Sequence, residues 1–159
     1  NSIAPKTLSI FLLLFSLWGK GQLSIGDKLP MFTLVNDKGE IIDIYETGND
    51  KFIFVDFWAS WCGPCRKANK KIAGYQSKYE EITVVGISID TDENKWKESI
   101  KKDKLNHINL IERKGFDGKV VALFGVEVLP SSFLFNKENQ LIAINPTEKE
   151  IQELIKNKR

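Results

Sequence analysis

Hydrophobic and polar positions along this chain form short segments of two alternating kinds. Short apolar or β-branched runs, bounded by polar and turn-forming residues, predict strands. These runs span residues 32–35, 41–44, 52–58, 82–89, 107–111, 132–135 and 141–144. The run 52–58 is interrupted only by Asp56, which is typical of a strand covered on both faces.

Helical periodicity fills most of the gaps between these runs. The positions that predict helices are Ala68, Ile72, Tyr75 and Tyr79; Trp96 and Ile100; Val120, Val121, Leu123 and Phe124; and Thr147, Glu150, Ile151, Leu154 and Ile155. The first four lie on one face of a single predicted helix, and Thr147 with Glu150 forms a capping box. Strand, helix, strand, helix, hairpin and closing helix predict an α/β protein: a three-layer α/β/α sandwich with a mixed central sheet and an N-terminal β-hairpin.

The first residues differ in character from the rest. An apolar run over 8–18 follows Lys6, and the small residues Gly19 and Gly21 follow the run. This pattern predicts a signal peptide over residues 1–21, with Gln22 as the new N-terminus and a single domain over 22–159. We therefore expect a periplasmic or otherwise extracytoplasmic protein. A buried core strand and an uncleaved membrane anchor are the alternatives.

Charge excludes some classes of partner. The formal net charge is +2, and both Lys6 and Lys20 lie in the predicted signal peptide. The remainder is neutral, which gives no electrostatic reason to expect nucleic acid or an anionic membrane surface as a partner. We interpret the lysines between Lys95 and Lys104 as a solvated helix face.

The two cysteines of the chain, Cys62 and Cys65, are separated by two residues. The loop that they close is too short to remove much chain entropy, so they are reactive rather than structural candidates. Cys62 is predicted at the start of a helix, where unpaired N–H groups and the helix dipole lower a thiol pKa. Cys62 is therefore the predicted attacking thiol, Cys65 the resolving one, and Pro64 fits the first helical turn.

A metal site is the weaker interpretation of this pair. A structural zinc site needs four ligands, whereas the chain offers two cysteines and one histidine. No metal and no cofactor are expected. A Cys-x-x-Cys motif between an apolar strand and an amphipathic helix predicts thiol–disulfide chemistry.

The stretch from Val55 to Cys65, Val-Asp-Phe-Trp-Ala-Ser-Trp-Cys-Gly-Pro-Cys, resembles the active-site stretch of thioredoxins. Residues 24–34 and 85–90 resemble the TlpA/ResA branch, the exported thioredoxin-like proteins related to the AhpC/TSA family. The similarity covers nearly everything beyond Ser24. It implies a thioredoxin-like fold and a thiol-disulfide oxidoreductase.

The resemblance also implies roles for three further residues. It implies that Asp56 is a buried carboxylate that moves a proton to and from Cys65, and desolvation would raise the pKa of such a group. It also implies that Pro130 is a cis-proline beside the cysteines, and that Leu129 helps to choose substrates. An exposed Asp56 and an ordinary trans Pro130 are the alternatives.

The predicted substrate-binding residues are Trp61, Gly63, Pro64, Leu129 and Pro130. The resemblance also implies an acidic residue close to the cysteines in the insert after the second long strand, but the sequence does not choose among Asp90, Asp92 and Glu93.

The resulting functional hypothesis is an exported reductase of protein disulfides. It requires an upstream thiol–disulfide electron donor, for which a membrane protein is one candidate, and we expect a monomer. A disulfide oxidase or isomerase of the same fold and a non-catalytic binding module are the alternatives. A peroxidase is disfavoured, because Val55 and Ala59 stand where the Pro and Thr or Ser of the peroxidatic motif Pro-x-x-x-Thr/Ser-x-x-Cys would be.

Overall fold

The computed structural model of this protein describes residues 2 and 21–157. Nearly all of the predicted signal peptide therefore lies outside the described residues, and its cleavage stays a prediction. Within the described part, no helix is both long and apolar enough to cross a membrane.

The centre of the fold is a seven-stranded mixed sheet in the order β2-β1-β5-β4-β3-β6-β7. The strands are β1 Thr33–Asn36, β2 Ile41–Asp43, β3 Phe52–Trp58, β4 Ile82–Ser88, β5 Ile108–Ile111, β6 Ser131–Phe135 and β7 Leu141–Ile144. Strands β3, β4 and β5 are parallel, and the other neighbouring pairs are antiparallel. This is the predicted mixture of parallel crossovers and antiparallel hairpins.

Five α-helices were identified in the described part, besides two short 3-10 helices: α1 Gly63–Ile72, α2 Tyr75–Lys78, α3 Glu93–Lys102, α4 Lys119–Phe124 and α5 Glu148–Lys156. The prediction of one continuous helix from Ala68 to Tyr79 is wrong, because the segment divides at Ala73 and Gly74 into α1 and α2. A glycine in a helix interior lowers the stability of the helix by about 1 kcal/mol relative to alanine. Ile72 and Tyr75 are nevertheless both buried in the same hydrophobic cluster.

Strand β3 separates two apolar layers because successive side chains point to opposite faces. Phe52 and Phe54 pack with residues of α1, α2 and α5. Ile53, Val55 and Phe57 face the other way, into the cluster that holds α4. The predicted three layers follow from this alternation.

The ends of the helices agree with the sequence signals. Thr147 and Glu150 form the predicted capping box at α5. Helix α4 ends at Gly125, which has a φ of 64°, a left-handed conformation that favours glycine.

Candidate active site

The two cysteines lie at the N-terminus of α1, directly beyond the carboxyl end of β3. Cys62 is the N-cap residue, and its Sγ accepts a hydrogen bond of 3.3 Å from the backbone N–H of Cys65. The pair forms a disulfide with its Cα atoms 5.2 Å apart. Because unpaired N–H groups and the positive end of the helix dipole meet at this position, a thiolate on Cys62 would be stabilised once the disulfide opens.

The two sulfurs differ in access to solvent. Cys62 is 7% exposed and Cys65 is fully buried. Cys62 is therefore the more accessible of the two sulfurs, and its role as the attacking thiol stays a prediction. Pro64 sits in the first turn of α1, where its missing N–H costs no intrahelical hydrogen bond.

Asp56 is buried in β3, with 2% of its surface exposed. Desolvation by burial raises the pKa of its carboxyl from an ordinary value of 3.8 to about 8. Asp56 lines a cleft of about 230 Å³ together with Lys71, Pro130 and Asn145. Asp56 is therefore a group that can take up or release a proton near neutral pH, and the alternative of an exposed Asp56 is wrong.

The Leu129–Pro130 peptide bond is cis, as the resemblance implies. Strand β6 begins just after it, where Ser131 pairs with Phe57 of β3. Both the proline and the cysteines thus lie beyond the same end of β3. Leu129 and Pro130 are half-buried, so part of each is open to a partner.

The remaining predicted binding residues surround the disulfide. Trp61 is 64% exposed, and Gly63 and Pro64 are exposed beside it. Trp58 is fully buried, so it belongs to the core rather than to this surface.

A network around Ser60 holds the segment that leads into Cys62. The Asp90 carboxylate accepts hydrogen bonds from the Ser60 N–H at 2.9 Å, the Ser60 hydroxyl at 2.6 Å and the Ser88 hydroxyl at 2.6 Å. Arg66 donates to the Ser60 carbonyl at 3.2 Å and pairs through two N–H groups with Asp103. Every polar group of Ser60 is therefore fixed, two residues before the reactive cysteine.

The sequence names Asp90 among three acidic candidates, and the structure separates it from the others. Asp90 is 1% exposed, whereas Asp92 caps α3 at the surface and Glu93 pairs with Lys97 and Arg113. The sequence did not predict that Ser60 and Arg66 take part in the hydrogen-bond network before Cys62. Their position inside the active-site stretch was the available signal, but their partners lie 30 and 37 residues away.

Within the residues that the structure describes, no group of three or more His, Cys, Asp and Glu side chains could hold a metal ion. The chemistry that the arrangement supports is thiol–disulfide exchange between Cys62, Cys65 and a partner. The buried Asp56 lines a cleft together with residues of α1, and exposed residues adjoin Cys62.

Comparison with known proteins points to the same chemistry. The AhpC/TSA family model matches residues 25–144. The thiol-disulfide oxidoreductase ResA of Bacillus thuringiensis (strain Al Hakam) is 30% identical over 125 residues, which cover 77% of this chain and 70% of that protein.

Solved structures agree on the fold. A thiol-disulfide oxidoreductase from Bacteroides fragilis superposes with a TM-score of 0.76 at 26% identity, covering 84% of this chain and 100% of the other. The thioredoxin domain of a thiol-disulfide oxidoreductase from Bacteroides vulgatus has a TM-score of 0.76 at 22% identity, covering 86% and 98%. The predicted thioredoxin-like fold is confirmed. This chain belongs to the AhpC/TSA family and, within it, to the ResA-type thiol-disulfide oxidoreductases.

Proposed function

We propose that this chain reduces disulfide bonds in proteins outside the cytoplasm, with Cys62 and Cys65 as its working dithiol. The observation that carries the proposal is the unequal placement of the pair. Cys62 is the N-cap residue of α1 and is partly accessible to solvent, whereas Cys65, in the first turn of the helix, is fully buried.

The exchange proceeds in two balanced steps. The Cys62 thiolate attacks a substrate disulfide, forms a mixed disulfide and expels one substrate thiolate, which takes up a proton. Cys65 then loses its proton and attacks the Cys62 sulfur. This step releases the second substrate thiol and closes the Cys62–Cys65 disulfide, so that two electrons have passed to the substrate.

Asp56 is the proposed base for the second step. A pKa near 8 lets its carboxyl accept the Cys65 proton and later return it at neutral pH. Asp56→Asn should therefore slow turnover between pH 6 and 8, while the exposed control Asp50→Asn leaves it unchanged. Equal turnover of the two variants across this range would remove Asp56 from the mechanism.

Substrate docking is assigned to the surface formed by Trp61, Gly63, Pro64, Leu129 and Pro130. The support is their shared position around Cys62 and the partial exposure of each residue. An extended substrate segment would lie beside Leu129 and Pro130 with its disulfide over Cys62.

Trapping identifies the substrates. Cys65→Ser cannot resolve the mixed disulfide, so it should hold partners that are released by a reducing agent and identified by mass spectrometry. The matched control, Cys62→Ser, should hold none. Equal recovery from both variants would contradict the assignment of Cys62 as the attacking thiol.

The direction of electron flow follows from the midpoint potential. Gly63 and Pro64 resemble the pair found in reducing thioredoxins, so we expect a potential nearer that of thioredoxin, about −270 mV, than that of the oxidase DsbA, about −120 mV. Equilibration with a glutathione or dithiothreitol series measures it. The reduced protein should also cleave insulin disulfides, and its failure to do so with both thiols intact would favour a binding module instead.

Three parts of this proposal concern the cellular setting. The predicted signal peptide supports an extracytoplasmic location, and the closed disulfide requires an upstream dithiol donor to restore the reduced form. We propose a monomer. Fractionation of cells and sedimentation of the purified protein test the location and the oligomeric state.

A further inference from the structure

A second cleft, of about 280 Å³, lies beside the cysteines between α1 and α3. We call it the α3 cleft. Its α1 side is formed by Ser60, Trp61 and Arg66, and its other side by Lys95, Glu98, Ser99 and Lys102 of α3. Because Trp61 adjoins Cys62 in the chain, a partner held over Cys62 would have neighbouring residues within reach of this cleft.

The α3 residues reach the cleft through helical spacing. Positions 95, 98, 99 and 102 recur at three, four and seven residues and so share one side of the helix. Trp96 and Ile100 occupy a different side and are buried in the core. Lys97 points elsewhere and pairs with Glu93 at 3.1 Å. The lysines of this helix are therefore not equivalent, although the sequence pattern suggests one uniform solvated face.

The solvent-exposed charges of the cleft do not cancel. Arg66 is neutralised by its pair with Asp103. In the described part of the chain, neither Lys95 nor Lys102 has a carboxylate within ion-pair distance. Glu98 is the single acidic side chain of the lining. The Asp90 carboxylate binds Ser60 from inside the protein and is 1% exposed. At the solvent-exposed surface of the cleft, two ammonium groups thus meet one carboxylate.

The β6 side of the cysteines carries charges of both signs. There the exposed Glu127 lies close in sequence to Leu129 and Pro130, which lead into β6 on the far side of β3 from β4 and α3. Lys71 is exposed on this side and lines a cleft with Pro130. A polypeptide that crosses the active site would therefore meet both signs on the β6 side and the two lysines on the α3 side.

We propose that the α3 cleft is a specificity subsite for an acidic side chain of the substrate polypeptide, close to its reactive cysteine. Lys95 and Lys102 would hold the carboxylate, and the exposed face of Trp61 would pack against its aliphatic part. The proposal rests on the disulfide exchange at Cys62 proposed above and adds to it a class of substrate sequence.

The kinetic test uses peptides with one disulfide that differ only in having Glu or Lys near the cysteine. The reduced protein should reduce the Glu peptide about two to five times faster at low salt, the range that exposed ion pairs support, and added salt should remove the difference. Lys95→Gln with Lys102→Gln should abolish the preference, and Glu98→Gln should increase it. The charge-matched control, Lys149→Gln with Lys156→Gln on α5, should leave it unchanged.

A second readout does not depend on turnover. A cysteine-free Glu peptide, titrated into isotope-labelled protein, should shift the indole N–H signal of Trp61 in the wild type but not in the Lys95/Lys102 double variant. Equal rates for the two peptides, or the same shift in both proteins, would overturn the subsite. If the wild-type protein fails to reduce insulin but its Trp61 indole signal still shifts with the Glu peptide, the proposed function is refuted and the subsite stands.

Discussion

Replacement of Asp56 by Asn tests the electrostatics of the site most directly. The two side chains have nearly the same shape, but Asn cannot ionise. Asp56 is 2% exposed, and burial raises the pKa of its carboxyl from 3.8 to about 8. The variant therefore removes the cost of a buried negative charge and leaves the packing almost unchanged.

The sign of the effect on stability follows from the direction in which the pKa of Asp56 is shifted. Because the pKa is higher in the folded state, the folded protein holds a proton that the unfolded chain has already lost between pH 4 and 8. The contribution of Asp56 to stability is thus full below pH 4, falls as the pH rises through this window, and levels off above pH 8. At pH 7 the cost is about 4 kcal/mol, and above pH 9 it is about 6 kcal/mol. These are upper limits, since water that enters when the carboxyl ionises would reduce them.

Urea denaturation at a series of pH values measures the effect. Both proteins are kept in the disulfide form, so that the thiols do not titrate. The difference in unfolding free energy between Asp56→Asn and wild type should grow from near zero at pH 4 to several kcal/mol at pH 8, with the variant the more stable. Asp50→Asn, at an exposed position, is the control and should show no such trend.

Two results would refute this reasoning. A constant difference between Asp56→Asn and wild type from pH 4 to 9 would mean that Asp56 has an ordinary pKa in the folded protein. A variant less stable than wild type at pH 8 would mean that the ionised carboxyl has partners that stabilise it.

The remaining predictions concern the support of the site. Asp90→Asn should lower the unfolding free energy by about 2–4 kcal/mol, because it disrupts the buried bonds to Ser60; the capping control Asp92→Asn should change it little, and equal losses would contradict the network. Gly125→Ala should cost about 3 kcal/mol, since its φ is 64° and a Cβ would lie 2.4 Å from the backbone of residue 22. Gly39→Ala, with a φ of 83° and open space, should cost only about 1 kcal/mol; similar losses in urea denaturation would contradict this packing.

Much of the fold could be predicted because its signals are local. The run 52–58 is β3 with the predicted bounds, and the capping box of Thr147 begins α5 as expected. The break between α1 and α2 was missed, because the apolar stripe continues across Gly74 and periodicity alone does not register the interruption of the helix there.

The candidate site likewise has features that the sequence predicts and features that it does not. The motif of Cys62 and Cys65 predicts their positions relative to α1, since three residues of sequence separation leave few geometries. The network at Ser60 could not be predicted, because Asp90 and Asp103 are distant in sequence and any of several acidic residues of the insert could have filled the place.

The sequence by itself determined the chemistry: two thiols at a helix start, one carboxyl in an apolar strand and a proline at the start of another. These properties depend on residue type and on neighbours within a turn or a strand. Only the tertiary structure decided which acid holds the active-site segment, how deeply Asp56 is buried, and which lysines of α3 line the cleft beside Trp61. Burial and charge pairing depend on segments that meet only after the chain has folded, so no local pattern carries them.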